Sequence, residues 1–135
     1  MTCTDTDNTL KITQGASKTQ NLFVRQADTG LAQDLTLSTV FFTLKERFED
    51  IEPLIAKVST DTTQISITSP QLTSGLPNAN TGRATIFLLP GDTANLVAGA
   101  TYWVDVWILL PNGEHRPVIC KQPCFIDFRV TNIDL

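Results

Sequence analysis

Between residues 102 and 110 every second position is apolar: Tyr102, Val104, Val106, Ile108 and Leu110. Successive residues of a strand point to opposite faces, so this run predicts a β-strand with one wholly apolar face. The other face reads Trp103, Asp105, Trp107 and Leu109, a mixture of apolar and acidic groups. Pro111-Asn112-Gly113 comes next, and an Asn-Gly pair supplies the positive backbone angles of a tight hairpin. A hairpin over residues 101–131 is therefore expected. Its second arm is interrupted by Pro117 and by Lys121-Gln122-Pro123. Proline donates nothing to a ladder, so that arm is expected to be a bulged or bent edge strand.

The same reading divides the rest of the chain. Residues 9–13, 19–25, 39–45, 54–58, 64–68 and 83–89 form short apolar or alternating runs bounded by turn residues, and each predicts a strand. In 39–45, Val40, Phe42 and Leu44 share a face, while Phe41 breaks the alternation and predicts partial cover on the other side. Residues 59–63 are a polar link. Residues 69–82 are rich in Ser, Pro, Gly, Asn and Thr without a period, which predicts a long surface loop of the kind that is commonly functional or mobile. Residues 90–96 read as a short helical turn, with Asp92 near its start where a negative charge suits the helix dipole.

About seven or eight short strands punctuated by turns point to an all-β fold, an antiparallel sandwich with one short helical turn. No repeat, heptad pattern or linker divides the 135 residues, and 41% hydrophobic content is enough for a real core. One domain over residues 1–135 is expected. Short arms, at about 1–8 and 132–135, are expected to order on assembly.

Charge and cysteine usage narrow the function. The net charge is −4 and the acids are scattered, which argues against a nucleic-acid or anionic-membrane surface. No apolar run is long enough for a spanning helix, and residues 1–5 lack the basic and apolar regions of a signal peptide. A soluble protein made in the cytosol is expected. Cys3, Cys120 and Cys124 have no recognisable zinc spacing. They read as reduced thiols, with a Cys120–Cys124 bridge as the alternative in an oxidising setting.

Little in the chain points to catalysis, and neither a cofactor nor a metal is expected. The single histidine, His115, follows the Asn-Gly turn and reads as solvated surface, with no nucleophile elbow to serve. Glu46, Glu49, Asp50 and Glu52 form the densest acidic group. Paired carboxylates serve hydrolases, but these are interleaved with Arg47, Phe48 and Ile51 directly after a strand and read as a solvated turn. Asp105 reads as a hydrogen-bonded strand acid, with Arg83 or Arg129 among its candidate partners. Trp103 and Trp107 share its side of the strand. They are core if a second sheet covers that face and a docking patch if none does.

The order Gln14-Gly15-Ala16-Ser17-Lys18-Thr19, Leu22-Phe23-Val24-Arg25, Gly30 and Asp34-Leu35 is followed by Val40-Phe41-Phe42-Thr43-Leu44-Lys45 and Glu52-Pro53-Leu54-Ile55-Ala56-Lys57. Asp92-Thr93-Ala94, Gly99-Ala100-Thr101-Tyr102 and Asp105-Val106 complete it. Together, over about residues 10–130, this resembles the immunoglobulin-like domains of tailed-bacteriophage virion proteins, such as the amino-terminal domain of baseplate upper proteins. The loop 69–82 is longer than in that pattern, and the chain carries no coiled coil or second domain of the baseplate kind. The resemblance implies an immunoglobulin-like sandwich and a non-enzymatic virion component: a capsid decoration or cement protein, a head–tail junction protein, or a tail or baseplate subunit. It implies no catalytic residues. Its partners would be other virion proteins (capsid, portal or tail subunits), with homo-oligomerisation in the particle. Candidate contact residues are Trp103 and Trp107, together with Leu76, Asn78 and Asn80 in the loop. The alternative is a sandwich that binds carbohydrate or a host surface through the same residues.

Overall fold

The alternating run at 102–110 becomes the spine of the larger of two main sheets. The computed structural model describes residues 11–47 and 49–127, with backbone alone at 11, 120 and 121. In chain order the strands are β1 (Lys11–Thr13), β2 (Lys18–Phe23), β3 (Thr39–Lys45), β4 (Ile55–Val58), β5 (Ile65–Ile67), β6 (Leu72–Thr73), β7 (Leu76–Pro77), β8 (Arg83–Leu88), β9 (Thr101–Leu109) and β10 (His115–Asp127). One short helix, α1 (Pro90–Thr93), lies between β8 and β9. The larger sheet has the order β1-β10-β9-β3-β4, the smaller β2-β8-β5, and β6 pairs only with β7. The all-β expectation holds. The arms at 1–8 and 132–135, Arg129 and the start of the first expected strand lie outside the described residues.

Alternation decides which side of each sheet is dry. In β3 and β9 the even-numbered residues from Val40 to Leu44 and from Tyr102 to Ile108 are buried, and the odd-numbered ones are half-buried or exposed. From the smaller sheet, Leu22, Ile65, Ala84, Ile86 and Leu88 join them in a single hydrophobic core, with Phe42 among the largest fully buried side chains. Leu96, from the segment after α1, lies in the same core. The fourth and fifth expected strands form as expected but in different sheets, so the polar link 59–63 carries the chain from one to the other.

Two expectations need correction. The second arm of the hairpin is bulged, with register shifts between Pro117 and Ile119 and between Ile119 and Gln122, but it is not an edge. Lys11–Thr13 pairs with it in parallel, Lys11 beside Phe125 and Thr13 beside Asp127, and β1 takes the outer position there. The hairpin turn also differs. Only Gly113 has positive φ, at 89°, and Asn112 does not. The Gly113 N–H donates to the Leu110 carbonyl and the Leu110 N–H to the Glu114 carbonyl, both at 2.9 Å. This is a three-residue loop whose last residue is left-handed. Pro111, with its fixed φ, sets the first corner and leaves the positive angle to the glycine.

The sheets are also fastened at their margins. Lys57 lies on β4 opposite the buried Phe42, so its side chain is directed inward from the rim of the larger sheet. Its Nζ meets Asp92 Oδ2 of α1, which follows directly on the smaller sheet, at 2.8 Å. The same oxygen accepts the Leu89 N–H at 2.8 Å, holding the first turn of the helix. Thr93, fully buried, donates its hydroxyl to the Ala16 carbonyl at 2.8 Å. Tyr102 in turn accepts the Val97 N–H on its phenolic oxygen at 2.9 Å.

Partial burial raises the Asp92 carboxyl, but the Lys57 ammonium and the Leu89 amide outweigh it and leave the pKa below the ordinary 3.8. A folded pKa below the unfolded one gives stability that is present above the unfolded value and lost as the pH falls through the folded one. Asp92→Asn should therefore cost about 1.5–3 kcal/mol at pH 7, the range for hydrogen bonds to charged groups. The gap to the wild type, followed by urea denaturation, should close as the pH drops below about 4.

Candidate functional site

The face that carries the tryptophans is the outer face of the five-stranded sheet. Its direction follows from its neighbours, because Tyr102, Val104, Val106 and Ile108 turn into the core and Trp103, Asp105 and Trp107 must point away. Trp107 is 40% exposed and Trp103 half-buried, so the core alternative for this pair falls. The register sets Val58, Phe41, Trp107 and Pro117 side by side across four strands. Ala56, Thr43 and Asp105 form the next row, and Lys45, Trp103 and Pro123 the one after. Phe125, 57% exposed and opposite Thr101, extends the same face. The result is an aromatic surface with one acid at its centre and one lysine beside it.

Phe41, Val58 and Phe125 join this surface although the sequence did not mark them as contact residues. Phe41 had a signal, since it is the residue out of phase with the apolar side of its strand. Phe125 had none, because its facing depends on two bulges in β10. Arg83, a candidate partner for Asp105, belongs to the smaller sheet. There its guanidinium lies 4.7 Å from the Phe23 ring centre and donates to the Ala79 carbonyl. Phe23 carries a second guanidinium, that of Arg25, at 4.7 Å.

The other expected contact residues lie elsewhere, in the segment between β5 and β8. The expected loop 69–82 contains a small hairpin, β6–β7, whose register sets Leu72 opposite Pro77 and Thr73 opposite Leu76. Leu76 is exposed at 67% near its tip. Asn78 and Asn80 are engaged in holding the segment together: both side-chain amides donate to the Pro70 carbonyl at 3.2 Å, and Asn78 also reaches Thr73 Oγ1 at 2.9 Å.

Gln71 is the residue that fixes this segment, and nothing in the sequence marks it. It is 7% exposed. Its Oε1 accepts the N–H groups of Leu35 at 3.0 Å and Gly82 at 2.9 Å, and its Nε2 donates to the carbonyls of Thr68 at 2.7 Å and Asn80 at 2.8 Å. One side chain thereby satisfies buried backbone groups of three separate segments. Gly82 fits the same junction for steric reasons. With φ at 79°, a Cβ there would lie 2.5 Å from the Val24 carbonyl oxygen, which is too close for any side chain.

The remaining candidates for chemistry are dispersed. Glu46, Glu49 and Glu52 are exposed, and Asp50 closes a local turn by accepting the Arg47 N–H at 3.1 Å. His115 is exposed at the start of β10. Among the described residues there is no cluster of His, Cys, Asp or Glu that could hold a metal, and no helix is long and apolar enough to cross a membrane. Cys124 is a free thiol facing the core opposite Tyr102, and the Cys120 side chain of the alternative bridge lies outside what the structure describes. Burial pushes the Cys124 thiol up to about 12 from its ordinary 9, against the opposing pull of the Lys18 ammonium.

Two outcomes follow from this geometry. Gln71→Ala strands the buried N–H groups of Leu35 and Gly82 and should cost about 2–6 kcal/mol in chemical denaturation, at about 1–3 kcal/mol per orphaned group. Cys124, buried and with its thiol pushed up by that burial, should stay unmodified when the native protein is treated with iodoacetamide and react only in denaturant, as read by peptide mapping. Neither a scan against protein-family models nor a search of curated proteins finds a match to this chain.

Proposed function

We propose that this protein is a non-enzymatic structural subunit of a tailed-phage virion, built as an immunoglobulin-like sandwich. In this reading it joins virion proteins, including copies of itself, through protein–protein contacts. The phage assignment rests on the sequence resemblance. The strand order supports its fold component. In variable-type immunoglobulin domains the sheet holding the final hairpin gains a strand beyond the third one; here β4 lies outside β3, next to the β9–β10 hairpin, and β2-β8-β5 forms the opposing sheet. Such domains also carry a tyrosine near the start of the penultimate strand, its hydroxyl bonded to backbone a few residues upstream. The Tyr102–Val97 contact has that form. Val104 stands two residues later, where antibody domains carry the second cysteine of their core disulfide.

The observation that carries the contact function is the aromatic outer face. Trp103, Trp107, Phe41 and Phe125 share the exposed side of one sheet, with the charged groups few. Tryptophan and other large aromatics dominate protein interfaces because they bury much area with few rotors. An exposed apolar face on a sheet loses that exposure when a second protein covers it.

Size-exclusion chromatography with light scattering tests this. The wild type should run above monomer mass at micromolar concentration, and Trp107→Lys should weaken that association about thirtyfold or more, as loss of a hot-spot residue does. A wild type that stays monomeric and fails to co-sediment with phage capsids or tails would contradict the assembly function. Binding to a glycan array in that case would support the carbohydrate alternative.

A further inference from the structure

A separate concave site lies between residues 35–38, which lead into β3, and residues 67–75, which follow β5. The cavity measures ≈ 530 Å³, inside the range of roughly 300–1,000 Å³ typical of small-molecule sites. Leu35, Ile67, Pro70 and Leu72 give it apolar walls, and no charged residue lines it. Gln71 shapes it by tying residue 35 to the 68–82 segment, and both ends of its amide are engaged in doing so. Leu37 stands at the rim with φ at 59°, a left-handed backbone that is unusual for leucine, and with 86% of its surface exposed.

Ser38 is one of five polar residues in the lining, with Thr36, Thr68, Ser69 and Gln71. It is only 9% exposed, and its Oγ is the one buried side-chain oxygen or nitrogen among the described residues that meets no hydrogen-bond partner. A buried hydroxyl left unpaired is costly, whereas a ligand atom that pairs with it gains a hydrogen bond in a low-dielectric setting. An ion, by contrast, would lose its hydration and find no counter-charge on these walls.

We propose that this cavity binds a small neutral ligand with an apolar body and one hydroxyl or carbonyl group, recognised by Ser38 Oγ. The apolar body rests on Leu35, Ile67 and Leu72. Ser38 Oγ is buried in the wall, so it reaches the ligand only by a change of χ1 to another staggered well that turns the hydroxyl into the cavity. The site depends on the segment that Gln71 fixes and not on the aromatic sheet face, so it stands apart from the assembly function.

The test is titration of the isotope-labelled protein with benzyl alcohol, toluene and benzoate, followed through backbone amide resonances. Benzyl alcohol should shift the amides of residues 35–38 and 67–75 in a saturable way in the millimolar range, about what a ligand of eight heavy atoms delivers. Toluene should bind about tenfold more weakly, and benzoate should not bind there. Ser38→Ala, which deletes an atom with no partner and should keep the native spectrum, should reduce benzyl alcohol binding about tenfold and leave toluene unchanged. Shifts confined to other parts of the molecule, no saturation up to the solubility limit, or equal affinity of the wild type and Ser38→Ala for benzyl alcohol would each overturn the proposal. The wild-type shift map keeps the test decisive even if the variant misfolds.

Discussion

Everything in this molecule depends on the two-residue period of β9. Because adjacent strand residues face opposite ways, burying Tyr102, Val104, Val106 and Ile108 fixes Trp103, Asp105 and Trp107 on the other side. A register slip of one residue would exchange the two sets, placing the Asp105 carboxylate in the core and the aliphatic row in water. Desolvating that carboxylate is expensive, so the register is strongly specified. The neighbouring strands inherit it. Phe42 is buried opposite Val106, and Phe41 is brought outward beside Trp107. A single packing decision thus creates both the core and the surface that carries the proposed contacts.

The two sheets are joined by more than apolar packing. The Lys57–Asp92 pair reaches from the rim of one sheet to the helix that follows the other, and Thr93 fastens that helix to the turn before β2. Gln71 plays the matching part in the segment between β5 and β8. These polar fasteners sit where the chain leaves its sheets. There backbone groups lose their ladder partners and would otherwise be buried unpaired.

Much of this architecture was legible in the sequence, for identifiable reasons. Strong alternation located β3 and β9, and the helical turn at Asp92 announced itself through its flanking Pro90-Gly91 and its acid. Asp105 also held the answer to the tryptophan question, since an acid on one face and none on the other marks the outer side. What stayed hidden depends on partners distant in the chain. β1 is three residues long and pairs in parallel with the far end of β10, a contact that no local pattern encodes. Gln71 reads as one more polar residue in an aperiodic loop, because its role lies in accepting amides from residues 35 and 82. The hairpin turn is ambiguous locally because an Asn-Gly pair preceded by proline has two solutions, and here the proline selects the three-residue one.

The central claim is that the outer face of the five-stranded sheet is where this protein is covered by others. Tryptophan emission and acrylamide quenching across a protein dilution series test it most directly, since both tryptophans of the chain lie on that face. Emission should move to the blue and quenching should fall as association sets in at rising concentration. Association that proceeds with emission and quenching unchanged would place the contacts elsewhere and contradict it.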